Sequence, residues 1–362
     1  MQKYDFLIVG AGLYGSVFAY EAHKKGYKVL VIDQRNHIGG NIYSENINGI
    51  EVHKYGAHIF HTDKKEIWDY INQFGEFEPF INQPIAVIGN TTYNLPFNMN
   101  TFSKVFNVVS PDDVLSIIQK ETALYSNLVA TNLEEQALKS VGKTIYELFI
   151  KEYTEKQWDK KCTELPPDII NRLPIRLTYD NNYFSDKYQG IPKNGYTSLV
   201  KNMLEGIEVF LQVKYPDFRF KADKMIYTGM IDEFFNYVLG ELEYRSLKFI
   251  EVEKNYPNHQ GNAVMNYPSK NIGYIRSIEH KHFVKTDTPN TIISYEFSVE
   301  YKRGMIPFYP VQTKKNKLLY NEYEKLAKEL PNIYFKGRLG NFKYFDMDDT
   351  IENALNLADK IL

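Results

Sequence analysis

Hydrophobic residues cluster first at Tyr4–Val9, a run rich in β-formers that stops at Gly10. From Leu13 to Lys25 apolar residues recur at helical spacing, and Gly26 closes the segment. Lys28–Ile32 is a second short apolar strand, so the chain opens with strand, helix, strand, which predicts a βαβ unit in a parallel sheet. Between 43 and 98 the pattern is one of short strands, with turns at Asn48-Gly49 and Gly89-Asn90 and a helix near Lys64–Phe74. From 101 to 153 it is helical. Ser110-Pro111-Asp112-Asp113 reads as a helix start, and residues 132–142 as a further helix ending at Gly142. Residues 154–195 carry prolines at 166, 167, 174 and 192 among polar and aromatic residues, which predicts a long loop. Strands dominate again from about 244 to 309. The chain then runs through a helix (Lys315–Leu330), a strand (Ile333–Phe335), a glycine-punctuated turn and a helix from about Asp346.

Composition narrows the functions open to this chain. A length of 362 residues suits two or three domains. A formal charge of −2 implies no strong attraction to nucleic acid or to an anionic membrane. No apolar run approaches a membrane span, and the sequence enters a strand at once without a signal-peptide pattern. With Cys162 as the sole cysteine there is neither a disulfide framework nor a dithiol centre within the chain, and a reducing cytoplasm is expected. The 29 tyrosines offer flat apolar faces with hydroxyls, a surface suited to sugars and nucleotides, although packing must account for most of them.

The glycines carry the clearest chemistry. Gly10, Gly12 and Gly15 sit between a strand and a helix: Gly10 for a tight turn, Gly12 for close approach of a pyrophosphate, Gly15 for helix–strand packing. Asp33 ends the second strand, where a carboxylate accepts hydrogen bonds from an adenosine ribose. A nicotinamide site has no use for the second pair, Gly39-Gly40, followed by Asn41. A chain turning back beneath a pyrophosphate does, and "DQRNHIGGN" resembles the acid-then-double-glycine segment of glutathione-reductase-like flavoproteins. The expected cofactor is therefore FAD. Yet the chain lacks both the second nicotinamide fingerprint and the cysteine pair of the disulfide reductases. His58 and His61 have no further ligands at metal spacing, and "DMDD" (346–349) reads as an acidic helix start, so no metal is expected.

A flavin without an electron-exchange partner finds its explanation in a resemblance. "YGAHIFHT", "YTEKQW", "RLPIR", "DNNYF", "YQGIPKNGY", "GNAVMNY", "YIRSIEHKHF" and "GRLGNFKYFDMD", in this order, look like the prokaryotic UDP-galactopyranose mutases, and the similarity runs from first strand to last helix. That family interconverts UDP-galactopyranose and UDP-galactofuranose with no net redox change. The resemblance implies that reduced FAD attacks the anomeric carbon through N5, UDP leaves, and a flavin iminium of the open sugar recloses as the other ring.

The resemblance also implies roles for individual residues. Arg172 and Arg276 match the arginines that hold the diphosphate, and a leaving UDP develops charge that guanidinium forks stabilise. His61 is the third residue assigned to catalysis. Arg172 falls in a mobile substrate loop at about 160–182, and a lid would shield a reactive intermediate from water. Phe149, Tyr153, Thr154, Trp158 and Asn266 match contacts at the uridine end. Tyr183, Tyr309 and Tyr344 match phosphate-binding tyrosines, with Asn82 a further substrate contact and Glu296 and Asp346 acids near the sugar. On the cofactor side the implied set adds Leu13, His58, Ile59, Arg338, Tyr344, Asp346 and Met347 to the glycines, Asp33 and Asn41.

The expected fold is α/β: a discontinuous Rossmann-like FAD domain (1–75, 195–243, 306–362), an inserted helical bundle (99–182) and an antiparallel sheet domain (76–98, 183–194, 244–305). A homodimer is expected by resemblance. Two other readings compete. A flavin oxidoreductase acting on an amine or carotenoid-like substrate would need an apolar channel in place of paired arginines, and an idle nucleotide-sugar binder would be expected to lose them.

Overall fold

The computed structural model describes residues 3–172, 175–217 and 220–362, without the side chains of residues 171 and 172. The opening βαβ pattern builds the centre of a five-stranded parallel sheet. Its order is Glu208–Leu211, Val29–Asp33, Lys3–Val9, Lys221–Tyr227, Ile333–Phe335. Alternate residues serve opposite faces, as a doubly covered parallel sheet demands. Phe6, Ile8, Val29 and Val31 pack toward Val17 and Phe18 of helix Leu13–Lys24 and Ile351 and Ala354 of helix Met347–Ile361. Leu7, Leu30 and Ile32 bury the other face. The first and last helices of the chain thus lie together on one side of the first strand, which makes this domain discontinuous in sequence.

A seven-stranded sheet has the order Tyr309–Pro310, Tyr244–Lys254, Thr291–Glu300, Arg276–Glu279, Val264–Asn266, Ile85–Ile88, Thr91–Asn94. It is antiparallel except where Val264–Asn266 runs parallel to Ile85–Ile88, a departure from the wholly antiparallel sheet expected. Phe77–Pro79 and Tyr188–Pro192 do not join it; with Phe60–Thr62 they form a separate three-stranded sheet. Both predicted hairpin turns are present. Asn48 and Gly49 take positive φ (52° and 82°) between Ser44–Ile47 and Ile50–His53, as a two-residue hairpin requires.

The helical layer follows its caps. Ser110 caps Pro111–Thr122 with Pro111 at the first helical position, and Asn132 caps Leu133–Ile145 through Glu135 N at 3.0 Å. Gly142, expected to end that helix, instead breaks it locally (φ 79°), after which helical backbone resumes and runs through a π segment, Tyr146–Ile150, into Lys151–Trp158. Residues 154–158 are therefore helical, and the expected long loop begins only beyond Trp158. It is not featureless. Short 3₁₀ turns occupy Cys162–Glu164 and Pro167–Arg172, and Arg176 gathers residues 182–185 by donating to the Asn182 and Tyr183 carbonyls and to Ser185 Oγ.

Asn98 secures the other side of that loop. Fully buried, its Oδ1 caps helix Met99–Phe106 by accepting from Asn100 N (3.0 Å) and Thr101 N (3.3 Å), while its Nδ2 donates to Asp180 O (2.8 Å) and Asn181 Oδ1 (2.7 Å). Asn98→Ala removes the cap from the buried Thr101 N and the bonds to Asp180 and Asn181, so it should lower unfolding free energy by about 2 kcal/mol in denaturant titration. An unchanged midpoint would contradict this role.

Candidate active site

The two glycine clusters meet at the C-terminal edge of the parallel sheet. Gly39 N donates to Ala11 O at 2.8 Å, and Gly12 and Gly39 form an isolated parallel bridge. The approach tolerates no side chain: a Cβ on Gly40 (φ 55°) would stand 2.9 Å from Gly12 Cα. Both oxygens of Asp33 hold this turn, accepting from Ala11 N and Arg35 N at 2.8 Å each. Helix Leu13–Lys24 begins at Gly12 with no side-chain cap and no acid in its first turn, leaving its N–H groups and dipole available to an anion. A cleft runs over these residues, lined also by Asn41, His58, Thr228, Arg338 and Met347. The groove fits a dinucleotide: a side-chain-free floor, an uncapped helix start and an acid fixed beside it.

Two contributors to this cleft escaped sequence reading. Residues 213–215 line it because Val213 N bonds Asp33 O and Gln212 N bonds Arg35 O, each at 2.9 Å, beyond the edge strand Glu208–Leu211. Arg35 also lines it, lying 4.8 Å over Tyr55 and donating to Asn41 Oδ1 at 2.8 Å, while its buried Nη1 has no partner among the described residues.

At His58 the cleft meets a second cluster. His58 Nδ1 lies 2.9 Å from Gly56 O; a carbonyl only accepts, so Nδ1 carries the proton and Nε2 presents a lone pair. Burial, with Arg338 and Arg276 nearby, pushes this imidazole down to about 4. Behind it stand two histidines for which the sequence suggests no role. His58 N donates to His53 Nδ1 (3.3 Å), His53 N to His280 Nδ1 (3.2 Å), and His280 Nε2 pairs with Ser294 Oγ (2.7 Å). Burial drives His280 down to about 3 and His53 well below its ordinary value.

The predicted substrate residues assemble around Arg276. Its Nη2 donates to Tyr153 Oη at 3.2 Å, Tyr153 Oη donates to Asn266 Oδ1 at 3.4 Å, and its Nη1 stands 3.6 Å from Glu296 Oε2. Glu296 is 1% exposed; burial pushes its carboxyl up while Arg276 opposes the shift. Burial also works against the charge of Arg276, but Glu296, Tyr153 and Tyr309 outweigh it and hold the guanidinium well above its ordinary value. Arg276 Nε and both Glu296 oxygens have no hydrogen-bond partner among the described residues. Tyr309 joins this group to Trp158 (rings 6.3 Å apart) and Tyr344 (6.1 Å), and Arg338 lies 4.6 Å over Tyr344.

Other predicted residues sit apart. Phe149 is 5% exposed and packs edge-on against Tyr93 within the helical core, and Thr154 is buried on the following helix. Ile59 belongs to an apolar cluster with Ile191 and Val264. His61 Nδ1 pairs with Asp186 at 2.9 Å and its ring stacks on Phe184. Asn82 O accepts from Tyr183 N at 2.8 Å, and Asp346 is the N-cap residue of the last helix. The side chain of Arg172 lies outside the described residues.

Groove and fold define a protein with a Rossmann-like dinucleotide-binding domain. The comparisons with known proteins narrow this. The family model described as UDP-galactopyranose mutase matches residues 148–344, and one described as an NAD(P)-binding Rossmann-like domain matches residues 8–74. The chain is 40% identical over 369 residues to a probable UDP-galactopyranose mutase of Klebsiella pneumoniae, covering 100% of this chain and 96% of that one. It is 36% identical to a dTDP-fucopyranose mutase of Escherichia coli, covering 97% of each. The crystal structure of a reduced UDP-galactopyranose mutase superposes with a TM-score of 0.79 over 100% of this chain and 94% of that one, at 14% identity, and so speaks for the fold alone. This chain belongs to the UDP-galactopyranose mutase family, and it is an isomerase.

The histidine row has a measurable consequence. His58 and His280 stay neutral in the fold down to about 4 and about 3, whereas in the unfolded chain they take up protons below about 6.5. Stability therefore falls as pH drops from about 6.5 toward 4, by up to about 1.4 kcal/mol per pH unit for each such imidazole. His280→Asn, which keeps an acceptor for His53 N, should flatten the slope by about that amount between pH 6 and 4 in denaturant titrations. An unchanged slope would show that His280 is not held neutral.

Proposed function

We propose that this protein interconverts UDP-galactopyranose and UDP-galactofuranose, using FAD in its reduced state. The observation that carries the reading is the junction of groove and cluster: a fixed cation, Arg276, with an unsatisfied Nε, set among Tyr153, Asn266 and Tyr309 beside His58 of the cofactor cleft. Held by the Gly12–Gly40 floor, Asp33 and the start of helix Leu13–Lys24, a reduced flavin would supply a nucleophile at N5 for displacement of UDP at the anomeric carbon and reclosure of the ring in the other size.

The chain's own residues have separate tasks. Asp33, held by two backbone donors, keeps lone pairs for an adenosine ribose, and the start of helix Leu13–Lys24 receives the pyrophosphate. Helix Met347–Ile361 begins without a side-chain cap from Asp346. Although Asp348 Oδ1 takes up Asp349 N and two acids stand in the first turn, the N–H groups of Met347 and Asp348 remain as donors to negative charge on the pyrimidine end of a reduced flavin. His58, neutral with its Nε2 lone pair free of the Gly56 bond, accepts a hydrogen bond without adding positive charge beside a nucleophile. Arg276, joined by Arg172 as the family resemblance implies, stabilises charge developing on the departing diphosphate. The rings of Trp158, Tyr309 and Tyr344 shield that diphosphate from water.

The decisive test is anaerobic incubation of dithionite-reduced protein with UDP-galactofuranose, followed by chromatography of the sugar nucleotide. Conversion to UDP-galactopyranose by reduced protein, and none by oxidised protein, is expected. Equal turnover in both states, or tightly bound NAD in place of FAD, overturns the reading. Since one relative is a dTDP-fucopyranose mutase, the same assay with dTDP-fucofuranose fixes the nucleotide and sugar. Faster conversion of that substrate would reassign the specificity. Arg276→Ala should retain flavin yet lose about 3 kcal/mol of transition-state stabilisation, roughly a hundredfold in kcat/KM. Near-unaltered turnover would remove Arg276 from the mechanism.

A further inference from the structure

Asn266 and Arg276 are directly paired residues of one hairpin, and residues 267–274 of the loop between them close around a single side chain from another element. Lys156 Nζ, on helix Lys151–Trp158, donates to the carbonyls of Tyr267 (2.5 Å), Ser269 (2.9 Å), Ile272 (3.0 Å) and Tyr274 (3.0 Å). Three ammonium protons shared among four oxygens make this loop a cage built on one cation. No carboxylate bonds that ammonium among the described hydrogen bonds, so the cage is held by backbone dipoles. Its other ties to the helix, Lys270 N to Glu152 Oε2 and Lys270 Nζ to Glu155 Oε2, are exposed, and pairs of that kind contribute little.

The same helix meets the same hairpin at a second point. Tyr153, one turn before Lys156, bonds Asn266 and Arg276 at the base of the loop that Lys156 closes. The far end of the helix is fixed as well, since Arg245 Nε and Ser298 Oγ both donate to Gln157 O. We propose that Lys156 is a positioning residue for diphosphate recognition: by caging loop 267–274 it fixes Asn266 and Arg276 relative to Tyr153. The inference rests on the nucleotide-sugar reading of this cluster. Lys156 itself needs no contact with substrate. Its removal leaves four carbonyls seeking other donors and frees the hairpin to shift. A displacement near 1 Å is enough to cost such a site much of its binding.

The test uses flavin-loaded, oxidised protein and needs no turnover. UDP affinity is measured by calorimetry for wild type, Lys156→Met and Lys156→Arg, with amide hydrogen exchange of residues 264–278 in each. Lys156→Met should weaken UDP at least tenfold, keep its full flavin content and speed exchange across 267–274. Lys156→Arg should rescue little, because a planar fork does not reproduce a point donor ringed by four carbonyls. UDP affinity equal to wild type in Lys156→Met overturns the inference, as does unchanged exchange in the loop. If wild type binds no UDP, the nucleotide-sugar reading fails, and the exchange arm still decides whether Lys156 holds the hairpin. Should Lys156→Met not fold, Lys156→Gln, which retains two donors, is expected to show the same loss in smaller measure, and wild-type affinity and exchange there overturn it equally.

Discussion

The crossing of Gly12 and Gly40 is the contact on which the rest of the molecule depends. Two backbone segments, one leaving the first strand and one returning after the second, approach so closely that neither carries a side chain at the contact. Asp33 stabilises the crossing by accepting backbone donors from both sides. Everything that defines the dinucleotide groove is measured from this point: the uncapped helix start on one flank, the 213–215 segment beside Asp33, and His58 where the groove meets the Arg276 cluster.

Beyond the groove, the site separates its charges by burial and pairing. Arg276 is a permanent cation because Glu296 and two tyrosine hydroxyls outweigh its burial, whereas His58, close by, is kept neutral by burial and by that same arginine. A positive charge is thus available for a leaving diphosphate while an uncharged acceptor stands next to the cofactor. The proposed displacement and reclosure would draw on both, since they need charge stabilisation at the leaving group and no electron acceptor. The histidine row behind His58 is part of the same design, since each imidazole accepts from the backbone N–H of the next and so fixes the segment that carries His58.

Sequence reveals local chemistry well and register poorly. The glycine clusters, Asp33, the Asn48-Gly49 turn and the Ser110 cap each announce themselves within a few residues, and the structure contains all of them. Lys221–Tyr227, a central strand of the parallel sheet, was not legible because Lys221, Asp223 and Lys224 break the apolar run that such a strand normally shows. Glu208–Leu211 is an edge strand with every second residue exposed, too short to stand out. The Arg276 cluster has no local signature at all. Tyr153, Asn266, Arg276 and Glu296 come from a helix and three strands, and only the family resemblance drew them together. The roles of Arg35, His53, His280 and Lys156 are illegible in sequence for the same reason: a lone basic side chain gives no hint of the partner that tertiary structure brings to it.

The proposed reaction uses the flavin as a nucleophile and not as an electron carrier. Reconstitution of the apoprotein with 5-deaza-FAD, which places carbon where FAD has N5, tests this most directly. The account predicts that the reconstituted, reduced protein binds UDP as tightly as the FAD form and converts no UDP-galactofuranose. Turnover at the rate of the FAD form would contradict it.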